Sequence, residues 1–212
     1  MTKVKICGIR TPEDVAIINE FKPDFIGYIF APTWREISLE TALKLIKQVD
    51  SSIQRVGVFV NRDIDFVAET LLSGAVDLLQ LHGQEDREYE EKLFNLLIKN
   101  GVSDPQNKCI KAYRVRSADD ILATDKTMCS RLLLDAYSEK DIGGTGESFD
   151  WTLIKNIKKP FFLAGGINAD NVENAVKQVR PYAVDASSSL ETDRKKDREK
   201  IKKFITNFRS IN

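Results

Sequence analysis

Short apolar runs alternate along this chain with longer stretches in which apolar and charged residues are interleaved. The short runs are KVKIC (3–7), DFIGYIF (24–30), QRVGVFV (54–60), DLLQLHG (77–83), KCIKAY (108–113), RLLLDA (131–136), PFFLAGG (160–166) and YAVDAS (182–187). Their length and bounding turn residues predict strands. The stretches near 12–21, 38–49, 63–73, 86–99, 117–124, 149–157, 168–178 and 194–208 predict helices. The first helix is the best marked, with Thr11 as N-cap, Pro12 at the first helical position and Asp14 in the first turn.

Strands in strict alternation with helices demand a parallel sheet with crossover helices. Eight such units in 212 residues fit an α/β fold of the (β/α)8 TIM-barrel type, with a doubly wound open sheet as the alternative. No Pro/Ser-rich linker divides the chain, so a single domain over 1–212 is expected. NGVSDPQN (100–107) reads as a surface loop. The charge run ETDRKKDREKIKK (191–203) reads as the solvated face of the final helix, laced by i,i+4 ion pairs.

Period-two alternation sorts the strand residues further. Val4 and Ile6 share one face of the first strand, suited to the helix-packed outside, so Lys5 and Cys7 face inward. Asp135 shares a face with Leu133, and Asp185 with Ala183. A barrel carries its chemistry at the C-terminal ends of its strands. Those ends hold Cys7, His82–Gly83, Asp135, Gly165–Gly166, Asp185, Ser187 and Ser188. Cys7, Asp135 and Asp185 would project into one mouth.

Composition removes several classes. The apolar fraction of 42% and charged fraction of 30% are those of an ordinary globular protein. Basic and acidic side chains number 32 each, which leaves no general attraction for nucleic acid or an anionic membrane. No apolar run is long enough for a membrane span, and the first residues carry no secretory core. Cys7, Cys109 and Cys129 are far apart without metal-ligand spacing, which suits free thiols in a reducing cytoplasm. His82 is the only histidine, so any site built on imidazole must use it.

Several of these pieces resemble a known family. KICGIR in the first strand is similar to the KICGIT-type signature of the phosphoribosylanthranilate isomerases of tryptophan biosynthesis. GYIFAPTWREIS, VGVFVN, LLQLHG, LLLDA, GGTGESFDW, FFLAGGI, VDASSSLET and KKD follow in family order across nearly the whole chain. The resemblance implies a (β/α)8 barrel, no cofactor and no metal. The implied reaction converts N-(5-phosphoribosyl)anthranilate to 1-(2-carboxyphenylamino)-1-deoxyribulose 5-phosphate, an Amadori rearrangement. It implies Cys7 as general base and Asp135 as general acid. Arg35 would contact the substrate, and the turns at Gly165, Gly166 and Ser187 to Ser189 would hold its phosphate. The only implied partner is this small phosphorylated molecule, and a monomer is expected. Ser189 and Arg194 stand where the family often has glycine; a serine still offers its backbone N–H to phosphate.

The residue types suit that chemistry. Ring opening needs an acid, and isomerisation needs a base to take the proton from C2. A cysteine, ordinarily titrating near 8.5, supplies such a base when its site favours the thiolate. An aspartate works as an acid only if burial or a negative neighbour raises its pKa. Arg35 offers a planar fork for a carboxylate. GGTG (143–146), with Gly144 as a substrate contact, reads as a cover over the site. His82 lines the site, and Asp185 orients a ring hydroxyl or ties down the last strand. Trp34 and Trp151 read as packing or rim residues. Lys5 and Lys111 raise a rival, a Schiff-base aldolase-like enzyme; a non-catalytic binder of phosphorylated ligands is another.

Overall fold

The computed structural model describes residues 1–136, 151–154 and 157–211. Eight strands, β1 (Lys3–Cys7), β2 (Phe25–Ile29), β3 (Gln54–Phe59), β4 (Leu78–Leu81), β5 (Cys109–Val115), β6 (Arg131–Ala136), β7 (Phe161–Leu163) and β8 (Ala183–Ala186), form a closed barrel in sequence order. β8 pairs in parallel with β1, with Lys5 opposite Asp185, and this closure rules out the open sheet.

The period-two assignment holds. Val4, Ile6, Leu132, Leu134 and Val184 are buried in the layer between barrel and helices. Phe25, Val56, Leu78, Ile110, Leu133, Phe162 and Ala183 fill the barrel interior. Phe25 and Phe162 meet edge to face at 5.3 Å between ring centroids. This apolar plug fills the barrel below the C-terminal strand ends. Each of the larger side chains in it contributes about 1.5–3 kcal/mol by leaving water.

The helices among the described residues are α1 (Pro12–Phe21), α2 (Leu39–Leu45), α3 (Ile64–Leu72), α4 (Arg87–Lys99), α5 (Ala118–Leu122), α6 (Val172–Val179) and α7 (Arg198–Arg209). Thr11 caps α1 in a reciprocal box with Asp14, as its sequence predicts. Of the helix expected near 149–157, the described residues show a 3-10 turn, Trp151–Leu153. Among the described residues, no helix is long and apolar enough to cross a membrane.

Two segments differ from the sequence reading. The helix expected from 168 starts at Val172 because local side chains capture its first amides. Asn168 Oδ1 accepts from the N–H groups of Asp170 and Asn171, and Asn171 Oδ1 accepts from that of Asn168. The charge run at 191–203 is not all helix. Its first six residues form a hairpin, β9 (Glu191–Thr192) with β10 (Lys195–Lys196), before α7 begins. Asp193 and Arg194 turn the chain with φ of 48° and 62°. The hairpin sends Glu191 and Lys196 inward, where a solvated helix face would have left them in water.

Candidate active site

Cys7 ends β1 with its side chain inside the barrel, almost fully buried. β2 makes room for it: opposite Cys7 lies Gly27, where a Cβ would stand 2.5 Å from the Cys7 sulfur. Ser187 Oγ donates to the Cys7 carbonyl at 3.0 Å and fixes the strand end to the loop after β8. One layer below, Lys5 Nζ donates to Asp185 Oδ2 at 2.6 Å, with neither side chain more than 7% exposed.

Asp135 ends β6 on the same inner face as Leu133. Its side chain is 28% exposed, and His82 Nε2 lies 3.3 Å from its Oδ2. Gln80, also inward on β4, approaches His82 Nδ1 at 2.7 Å. With Gln80 donating there, the imidazole carries its proton on Nε2, toward Asp135.

The two halves of the site are linked through Asp185. Burial pushes its carboxyl upward, Lys5 pulls it down, and the Asp135 charge pushes it up again. Burial likewise pushes the Cys7 thiol up; Lys5 and Lys196 act in the opposite direction. Cys7, Lys5, Asp185, Asp135 and His82 therefore form one electrostatic group around the mouth.

Beside it run the turns after β7 and β8. Gly165 and Gly166 both have positive φ, 83° and 67°, a conformation that a side chain would strain. Asn168 and Asn171 donate to the Gly166 carbonyl at 3.1 and 2.8 Å. After β8, Ser188–Leu190 forms a single 3-10 turn rather than a full helix. Ser189 Oγ reaches back to the Ile167 carbonyl at 2.6 Å and joins the two turns. That pairing of loops is where barrels of this class hold phosphate.

The family model for N-(5'-phosphoribosyl)anthranilate isomerase matches residues 4–207. The chain belongs to that family. A curated relative from Clostridium acetobutylicum, named N-(5'-phosphoribosyl)anthranilate isomerase, is 42% identical over the full length of both chains. The relative of the same name from Endomicrobium trichonymphae is also 42% identical, over all of both chains. The crystal structure of the phosphoribosyl anthranilate isomerase from Thermotoga maritima superposes with a TM-score of 0.84 at 34% identity, covering 99% of this chain and 100% of that one. A related structure, 32% identical with a TM-score of 0.81, contains reduced 1-(o-carboxyphenylamino)-1-deoxyribulose 5-phosphate and covers 99% of this chain and 100% of that one. The T. maritima enzyme is also described as dimeric.

Within this family member, Arg35 is already engaged. Its Nε and Nη2 donate to the two carboxylate oxygens of Glu191 at 3.1 and 2.7 Å. Its guanidinium also lies 4.1 Å from the centre of the Trp34 ring, which places Trp34 on the rim. Lys196 Nζ donates to the same carboxylate at 2.8 Å and to the Ser187 carbonyl at 3.2 Å. The sequence reading missed Glu191 and Lys196. The signals pointing to them were the VDASSSLET piece, which contains Glu191, and the KKD piece, which contains Lys196.

Lys111, raised as a Schiff-base candidate, is bound instead to Glu85 Oε2 at 2.7 Å and to the Gly83 carbonyl at 3.0 Å. Glu85 also accepts from the N–H groups of Asn61 and Gly83, so this buried pair shapes the loop after β4. A cavity of about 680 Å³ opens from His82 along Lys111, Arg114 and Lys126; its lining does not include Cys7 or Asp135. Gly144 and the GGTG segment lie outside the described residues. Among the described residues, no cluster of three or more His, Cys, Asp or Glu side chains could hold a metal.

Proposed function

We propose that this isomerase converts N-(5-phosphoribosyl)anthranilate to 1-(2-carboxyphenylamino)-1-deoxyribulose 5-phosphate, with Cys7 as base and Asp135 as acid. One observation carries the reading. A thiol ending β1 and a carboxyl ending β6 face one barrel mouth and are coupled through the Lys5–Asp185 pair between them.

Asp135 protonates the ribose ring oxygen, the ring opens, and the anthranilate nitrogen becomes an imine. Cys7 then takes the proton from C2, giving an enolamine that tautomerises to the ketose. The substrate supplies its own imine nitrogen, so no lysine is needed as a nucleophile. The partial exposure of Asp135 and the nearby imidazole differ from the buried, negatively flanked acid expected from sequence. The partial exposure of its own side chain lets Asp135 be recharged from solvent between turnovers.

The phosphate sits at the paired turns after β7 and β8, held by backbone N–H groups around Gly165, Gly166 and Ser187 to Ser189. The anthranilate carboxylate sits at Arg35, whose Nη1 donates to none of the described residues, Nε and Nη2 being taken by Glu191. One copy carries both reacting groups, so a monomer suffices for catalysis. Free thiols at all three cysteines suit a reducing cytoplasm.

Loss of the anthranilate-aminosugar fluorescence on adding purified protein tests the reading. Turnover by the natural chain and its loss in Cys7→Ser is the expected result. Equal turnover by both removes the base assignment.

A further inference from the structure

Lys5 sits two residues before Cys7 on the same inward face of β1. It is completely buried, on a level where its other strand neighbour is Phe25. A buried ion pair is weak as a stabiliser, because removing both charges from water offsets their attraction. An apolar pair would serve the barrel floor equally well. The pair is also incomplete: Asp185 Oδ1 is buried without a hydrogen-bond partner. Its placement therefore needs a reason other than packing.

The reason lies one layer up. The Lys5 ammonium lies on the same inward face of β1 as Cys7, one layer below it, and its charge favours the thiolate. The other elements around Cys7 offer less. β2 contributes Gly27, which carries no charge. β8 contributes Asp185, which opposes a thiolate. β10 contributes Lys196, whose charge is shared with Glu191, and Glu191 is also held by Arg35. Asp135 and His82 act on Asp185 from β6 and β4.

We propose that Lys5 is a positioning residue for this reaction: its ammonium, anchored by Asp185 beneath the mouth on the same inward face of β1, favours the thiolate of Cys7 that removes the C2 proton, in opposition to the burial that favours the thiol. The inference rests on the reading of Cys7 as the base. Lys5 itself stays charged. Burial pulls it down, but Asp185 and Cys7 outweigh this and hold it above the ordinary lysine range. Asp185 has two opposing effects, because it fixes Lys5 in place while its own charge works against the thiolate.

That opposition gives a test of sign. The free protein is alkylated with iodoacetamide across a pH series, with Cys7→Ser as the blank. Cys109 and Cys129 are fully buried. In Lys5→Met the alkylation midpoint rises by about one to three pH units. In Asp185→Asn it falls. Both variants break the same ion pair, so a merely structural pair would move both midpoints the same way. That result, or no movement in either, overturns the proposal. Lys5→Gln keeps a donor and much of the length, and replaces the methionine variant if that one does not fold. The ascending limb of kcat/KM against pH follows the alkylation midpoint in each variant. If the midpoints move as stated and the limb does not, Lys5 still sets the thiolate and the assignment of Cys7 as base is what fails.

Discussion

Arg35 and Glu191 form a two-pronged ion pair that ties the loop after β2 to the hairpin after β8, with N···O distances of 3.1 and 2.7 Å. The guanidinium is thereby held in one plane at the rim, with Trp34 beneath it. Glu191 also receives Lys196, so a single carboxylate orders two cations on the Cys7 side of the mouth.

Replacing Glu191 should therefore loosen substrate binding without touching the reacting groups. Glu191→Ala is expected to raise KM by about ten-fold, near 1.4 kcal/mol, with a smaller fall in kcat. Arg35→Lys should behave similarly, since an ammonium cannot reproduce the planar fork. Steady-state kinetics on both variants checks this. An unchanged KM in each would remove Arg35 from the carboxylate site.

Asp135→Asn should lower kcat by about 10²–10⁴-fold with KM little changed. The amide keeps the size and cannot donate the proton. Its thermal midpoint should match that of the natural chain, because the side chain is partly exposed and, among the described residues, its one ion-pair contact is the His82 imidazole. Full activity in this variant would exclude the acid role.

The pH dependence follows from the thiol. Burial is the largest influence on Cys7 and raises it, so the thiol form dominates below its titration. Activity should climb with pH through that titration, about ten-fold per unit on the acid side of the limb. A profile of kcat/KM that is flat between pH 6 and 9 on this scale of about three units would contradict a cysteine base.

A pair far from the mouth makes a separate prediction about stability. Arg55 grips both oxygens of Asp77 at 2.8 and 2.6 Å, across β3 and the start of β4. Burial alone would raise the Asp77 carboxyl, but hydrogen bonds from the Arg55 side chain and backbone outweigh it and hold it low. A depressed carboxyl stabilises the fold above its unfolded pKa, near 3.9, and that contribution fades as pH falls through the folded value. Asp77→Asn should cost about 1 kcal/mol at pH 7, with the gap to the natural chain closing in acid. Urea unfolding at both pH values checks the sign.

The barrel and the inward placement of the proposed base and acid were legible because both are written at short range; their roles came from the family resemblance. Period-two alternation put Cys7, Asp135 and Asp185 on the inner face, and the structure places them there. The supporting charges were not legible. Lys5 and Asp185 meet across 180 residues of sequence, and Arg35 and Glu191 across 156. Such pairs appear only when β8 closes onto β1. The β9–β10 hairpin was hidden for a local reason: its turn uses Asp193 and Arg194 at positive φ in place of the glycine that marks such turns. Its strands of two residues are also too short to show alternation.

The most direct measurement is a crystal structure of this chain with reduced 1-(2-carboxyphenylamino)-1-deoxyribulose 5-phosphate bound. The Cys7 sulfur should lie about 3.5 Å from C2, and an Asp135 oxygen within about 3.2 Å of the C4 hydroxyl, the former ring oxygen. The phosphate should rest on the turns after β7 and β8. A ligand bound with Cys7 and Asp135 both out of reach of the sugar would contradict the account.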